Sequence, residues 1–221
     1  RMLRMALPQH LILQTAEEKM TLTIWFSLVA ICCLGAMSPG PSLAVVLRHT
    51  ISNGRAHGIA TAVSHAAGVA LWALLTVWGL ALLVVEWPLV YQLLTYAGAA
   101  YLMWMGIKAL RSNGAGPMHI EPLIAPLGEA ARDGLMVSLL NPKLAFFFIA
   151  LFSQFVSAEL VLADKLVMTG TAAIIDAGWY IIVALALSHS TVLEKLQSKS
   201  AIIDKISGVI LLSLALRVVT L

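Results

Sequence analysis

The chain has 221 residues, of which 60% are hydrophobic and only 11% charged. Soluble domains carry about 25% charged residues, so this composition, with a mean hydropathy of +0.92, excludes a soluble globule and points to a protein that lives in lipid. The formal net charge of +3 is small; it is read as loop asymmetry and not as a nucleic-acid patch. No glycine-rich phosphate loop, zinc-ligand spacing or basic aromatic cluster appears, so no cofactor, resident metal or nucleic-acid partner is expected.

Residues 1–19 stand apart. They hold Arg1, Arg4, Glu17, Glu18 and Lys19 around Leu11-Ile12-Leu13, a patch too short for the core of a signal peptide. They read as an N-terminal extension, interfacial or disordered, with no assigned role. The transmembrane domain is expected over 20–221. From Met20 to Leu47 no charged residue occurs, and a run of that length is a membrane-span candidate. Inside it lies Met37-Ser38-Pro39-Gly40-Pro41-Ser42. Pro39 and Pro41 lack a backbone N–H, so a helix cannot run through them without losing hydrogen bonds. In hydrocarbon, freed backbone groups are tolerated only against protein or a polar cavity. One reading is a kink that shapes the bundle. The other is a broken helix whose freed groups bind something polar. A second break, Asn141-Pro142-Lys143, lies in a later hydrophobic segment and favours the second reading. Cys32 and Cys33 are adjacent and apolar-flanked, unlike a redox Cys-x-x-Cys pair, and read as plain helix residues.

Hydrophobic segments fall at about 21–47, 57–85, 88–108, 134–158, 166–188 and 201–221. Six spans are expected. Five is the alternative, because the last segment contains Asp204, Lys205 and Arg217. The first, third and fifth connections carry most of the Lys and Arg, which puts them at the cytoplasm and both termini outside. Trp25 and Trp87 would then lie near the outer interface. The third connection, rich in Gly and Pro, reads as a linker over 112–129. It separates halves 20–111 and 130–221, each of three spans and each opening with a proline-broken segment. An odd number of spans per half makes the second copy inverted in the membrane. The fold expected is therefore an all-α membrane protein of two inverted three-helix repeats with broken helices 1 and 4. Pro39 lies late in its segment and Pro142 early in its own, which weakens exact symmetry. Gly58, Ala62, Ala66 and Ala70, four apart, put small residues on one helix face for close packing. Gly98, Gly106, Gly170 and Gly178 are expected to act similarly.

Four polar residues stand out against this background. Asp176 lies near the middle of the fifth segment, where a charge costs at least about 2.5 kcal/mol to insert. It reads either as a structural carboxyl or as a proton-coupling site and ligand for a substrate ammonium. Lys143 either snorkels to the inner surface or attracts a substrate carboxylate. Asn141 can bond freed backbone groups or substrate, and Pro142 at a helix start leaves N–H groups that favour an anion. His65 reads as a packing residue or a proton relay. Arg48, His49, Arg55 and His57 read as loop anchors on the inner surface.

Met-Ser-Pro-Gly-Pro at 37–41, the basic loop at 48–58, Gly-Ala-Ala-Tyr-Leu-Met-Trp-Met-Gly at 98–106 and Asn-Pro-Lys at 141–143 together resemble the LysE/RhtB family of bacterial amino-acid exporters. The resemblance covers about 21–221. It implies export of amino acids or close derivatives from the cytoplasm, driven by the proton gradient, by a multi-pass inner-membrane protein that is not an enzyme. It is compatible with a homodimer. Pro39, Gly40, Pro41, Asn141, Pro142 and Lys143 match the family's signatures. Asp176 falls where similar proteins often carry an acidic residue. Ser42 departs from the Asn or Asp often found there, which bears on substrate choice. A zwitterion needs two opposite partners in a place without water. Free N–H groups and Lys143 suit its carboxylate; Asp176 or freed carbonyls suit its ammonium; Asp176 and His65 are the proton-coupling candidates. Rival readings are an exporter of a metal cation or another small solute, a membrane redox enzyme, and a structural subunit. Metal export would call for several intramembrane carboxylate, His or thiolate ligands, and Asp176 and His65 are the only clear candidates.

Overall fold

The computed structural model describes residues 20–38, 40–112, 124–156, 160–186 and 199–220. The extension at 1–19, most of the linker and Pro39 lie outside the described residues. The described residues form eight helices: α1 (Leu22–Met37), α2 (Pro41–Asn53), α3 (Arg55–Glu86), α4 (Pro88–Leu110), α5 (Leu127–Leu139), α6 (Pro142–Phe152), α7 (Leu162–Ala186) and α8 (Ser200–Thr220). No strand occurs among them.

Local chemistry sets the helix ends. Thr21 starts α1, its hydroxyl accepting from the Ile24 N–H at 3.3 Å, as an N-cap should. Pro41, Pro88 and Pro142 each open a helix, where the missing N–H has no partner to lose. Gly54 joins α2 to α3 with φ of 87°, a left-handed conformation that glycine adopts without a Cβ penalty.

Both expected breaks are present. α1 and α2 meet at 60°, and α5 and α6 at 53°. Their position differs from the hydropathy reading. The first basic connection is mostly the last turns of α2, and the fourth segment begins earlier, at Leu127. Each break therefore lies near the middle of its bent pair. The cause is the amphipathic start of α5, where Glu129, Arg132 and Asp133 hide a helix from an apolar window. Three helices, α3, α4 and α7, are long and apolar enough to cross a membrane, and the count rises to five if each bent pair is one span. The 21-residue α8 is not among them; it carries Asp204, Lys205 and Arg217.

The 32-residue α3 is the central post. It packs against α2, α5, α6 and α7, while α4 pairs with α8. A core of Leu28, Leu80, Leu102, Phe148 and Phe152 fills the middle of the bundle. A smaller cluster, with Leu43, Leu47, Ala62 and Tyr180, packs α2 against α3 and α7. Large apolar side chains also cover the outside, including Leu75, Leu82 and Ile174, the last 73% exposed. A soluble monomer rarely shows such patches; here lipid is the outer solvent.

Lipid is as apolar as leucine, so helices associate through close packing and not through hydrophobic expulsion. Glycines supply it. A Cβ at Gly106 would stand 2.9 Å from the Gly208 carbonyl oxygen, and one at Gly208 would stand 2.8 Å from the Gly106 oxygen. Gly134 abuts the Thr61 carbonyl and Gly68 abuts Ser138, which seats α5 on α3. Gly170 and Gly178 have nothing within 4 Å of an added Cβ, contrary to the packing role expected of them. Spacing alone does not tell which face of a helix meets a neighbour.

Each break also frees carbonyls. The Ser138 carbonyl, at the end of α5, accepts from the indole N–H of Trp72 on α3 at 3.1 Å and, at 3.4 Å, from the Asn141 N–H. The Ser38 carbonyl, beyond α1, accepts from the Lys143 ammonium at 3.2 Å.

Two outcomes follow in detergent-solubilised protein. Gly208→Ala should lower unfolding stability by about 1–3 kcal/mol, whereas Gly178→Ala should leave it equal or higher; equal melting of both variants would mean that α4 and α8 do not touch closely. Trp72→Phe should cost about 1 kcal/mol for the lost hydrogen bond, read as a lower melting temperature with the helical signal unchanged.

Candidate functional site

The two bent pairs face one another across a cavity of about 30 Å³. That is room for about two water molecules, far less than an amino acid needs. Ser38, Gly40 and Ser42 line it from the first break, Asn141 and Lys143 from the second, and Asp176 and Tyr180 from α7. Phe147 and Phe148 close it with apolar surface, their rings edge to face at 5.4 Å.

Lys143 sits on the first turn of α6 and is 7% exposed. It does not reach the inner surface. Its Nζ donates to the Ser38 hydroxyl at 2.7 Å and to the Ser38 carbonyl at 3.2 Å. Among the described residues no carboxylate oxygen lies within 4.0 Å of that ammonium. The cation is therefore held by the dipoles of the opposite break and faces a cavity, an arrangement that favours an incoming anion.

Asn141 caps α6. Its Oδ1 accepts from the Lys143 N–H at 3.0 Å, and its carbonyl accepts from Leu144 and Ala145. The helix start expected to offer free N–H groups is thus satisfied by its own cap. At the start of α2, Gly40 gives no side-chain cap. Asn141 Nδ2 also donates to the Ser42 hydroxyl at 3.3 Å, which ties one break to the other. Ser42 and Tyr180 both line the cavity.

Asp176 lies mid-way along α7 and is 5% exposed. Its Oδ2 meets His65 Nδ1, on α3, at 2.7 Å. The His65 ring stands edge-on to the Tyr180 ring, with centroids 5.1 Å apart. His65 Nε2 has no hydrogen-bond partner among the described residues. A buried carboxylate without a partner would be strongly disfavoured; the imidazole supplies one while leaving Asp176 on the cavity wall. The structure thus joins the two residues singled out for proton handling, which the sequence placed 111 positions apart.

The other candidates fall as follows. Gly40, Ser42, Asn141, Lys143 and Asp176 share the cavity wall. Pro41 and Pro142 face a second cleft on the other side of the breaks. Pro39 is outside the described residues. His65 stands behind Asp176 and does not line the cavity. His49 is not a surface anchor: it is fully buried and meets Asp133 of α5 at 3.1 Å. Arg55 is exposed as expected. Two wall residues escaped the sequence reading. Ser38 lay within the motif without an assigned partner. Tyr180 could have been found from its place four residues after Asp176, on the same helix face.

Comparisons with known proteins identify the family. The family model described as LysE type translocator matches residues 33–221. The chain is 30% identical to the homoserine/homoserine lactone efflux protein of Salmonella typhimurium over 71% of this chain and 77% of that one. It is 26% identical to the threonine efflux protein of Salmonella typhi, over 85% and 93%. It is 28% identical to the membrane protein YahN of Escherichia coli, over 82% of each. No solved structure matches the chain. The apolar helices and these bacterial membrane relatives make it a multi-pass protein of the inner membrane. Its breaks, their motifs and a match across most of its length show that the chain belongs to the LysE type translocator family.

Proposed function

We propose that the protein exports amino acids, or close derivatives, from the cytoplasm in exchange for protons. The observation that carries this reading is one cavity lined by both Lys143 and Asp176, opposite charges where a zwitterion needs them. The relatives named for homoserine, homoserine lactone and threonine efflux support small amino acids with a hydroxyl or its ester as first candidates. Ser42, Asn141 and Tyr180, neutral and polar, suit such a side chain.

The substrate carboxylate takes the place of the Ser38 oxygens on Lys143 and meets the uncapped start of α2. Its ammonium meets Asp176. The cavity must widen for this, so the walls made by the two breaks part toward one side of the membrane at a time. A proton arriving from outside neutralises Asp176, with His65 as relay, and weakens its hold on the ammonium. Return of that proton to the cytoplasm resets the site, giving one proton inward for one substrate outward.

Alternating access of this kind suits six spans, with α8 counted as the sixth, in two inverted repeats over 20–111 and 130–221. Three features support that count. α3 pairs with α7 and α4 with α8, the corresponding helices of the two halves. α5 packs on α3 as α1 packs on α7. Both bent pairs break near their middle. The basic connections then face the cytoplasm.

In proteoliposomes, Asp176→Asn should lower pH-gradient-driven efflux of homoserine or threonine at least about tenfold while substrate exchange without a gradient survives better. Unchanged gradient-driven efflux would remove Asp176 from the mechanism. Lys143→Met should raise the half-saturating substrate concentration about tenfold or more, the loss of one charge-assisted contact. An effect on folding yield alone would assign Lys143 to structure. Cells loaded with dipeptides, with and without the protein, identify the substrate from the amino acids they excrete.

A further inference from the structure

A second cleft, of about 340 Å³, lies between α2 and α5. Val45, Val137 and Pro142 form part of its apolar wall, and Asp133 is its only charged lining residue. It shares Asn141 with the central cavity. Asp133 and Asn141 are eight positions apart along α5 and its end, about 12 Å of helix rise. The cleft therefore runs from the level of Asp133 up to the wall that the two breaks make.

The chemistry at its lower end is specific. Asp133 Oδ2 meets His49 Nε2 at 3.1 Å, and Asp133 Oδ1 stands 3.7 Å from Arg132 Nη2. His49 is fully buried and belongs to α2, whereas the Asp133 side chain is 26% exposed. Arg132 is 70% exposed and free to swing into water, so its hold is weak. The carboxylate thus has one firm partner, and that partner is on the facing helix. The contact fastens α2 to α5, the two arms that end at the breaks.

We infer that this cleft is the entry subsite for the substrate, where Asp133 takes the ammonium group in exchange for His49. The inference rests on the exporter reading above. An amine of a small zwitterion replaces the imidazole on the carboxylate, the α2–α5 tie loosens, and Asn141 and Ser42 part to admit the substrate to Lys143 and Asp176. A carboxylate that is the only charged group lining the cleft selects a cationic group and repels free anions. The cleft is open-sided, with Leu140, 77% exposed, in its lining, so a molecule too large for the 30 Å³ cavity can reach Asp133.

The test uses proteoliposomes with substrate presented at the face where the basic loops lie. Asp133→Asn should raise the half-saturating homoserine or threonine concentration at that face about tenfold, the loss of one charge-assisted contact, with the maximal rate nearly kept. Asp133→Glu should restore it. An unchanged half-saturating concentration in Asp133→Asn, with wild-type transport intact, overturns the entry subsite and leaves the exporter reading standing. Absence of wild-type transport for every amino acid tried overturns both. A measurement without the Asp133 change guards against misfolding: Val137→Cys should react with a maleimide more slowly when homoserine is present. Labelling indifferent to homoserine would mean that the cleft is a lipid-covered face and would overturn the inference.

Discussion

A polypeptide inside hydrocarbon must satisfy its own N–H and C=O groups, and everything central to this protein follows from violating that rule twice. Gly40-Pro41 interrupts α1–α2 and Asn141-Pro142 interrupts α5–α6, each near the middle of its bent pair. The carbonyls so freed are worth several kcal/mol each if left bare in lipid. The chain answers them with side chains from elsewhere: the Lys143 ammonium at Ser38 and the Trp72 indole at Ser138. These contacts are long-range in sequence and short in space. The Trp72 contact ties α5 to α3, the Lys143 contact ties one break to the other, and the cavity is the gap between the breaks.

The same contacts give the site its charge pattern. Lys143 is brought into the interior to serve the Ser38 oxygens, and it carries a positive charge with it. Asp176 brings a negative charge, matched by His65. Neither is joined to the other. A direct Lys143–Asp176 pair would be self-satisfied and would leave no place for a zwitterion. Held apart by Ser38 on one side and His65 on the other, each charge has a partner that a substrate group can replace. Structure and proposed transport thus draw on one set of bonds: what stabilises this arrangement is what the substrate displaces.

Packing supports this without dictating it. Glycine contacts between α4 and α8, and between α3 and α5, are tight enough that an added methyl group would clash. They form stiff pairs. The ties that cross between the bent pairs are polar instead: Asn141 to Ser42, Lys143 to Ser38, His49 to Asp133. Polar ties can exchange with a ligand or a proton, whereas interlocked backbones cannot. Motion between open and occluded forms is expected where the ties are polar.

Much of this was legible in one dimension. A proline has no N–H wherever it sits, so the breaks at Pro41 and Pro142 could be read directly. A charge within an apolar run is conspicuous for the same reason, which singled out Lys143 and Asp176. The all-helical class followed from hydrophobic length. Contacts between helices were not legible: Lys143 with Ser38 at a separation of 105, His65 with Asp176 at 111, His49 with Asp133 at 84. They depend on how each helix is rotated about its axis. A helix apolar on all sides carries no stripe to reveal that rotation, so Gly106 proved a contact and Gly178 did not. Chain chemistry determined where the helices had to break and which charges had to be accounted for; the packed bundle alone decided which groups account for them, because only packing sets which face of each helix looks inward.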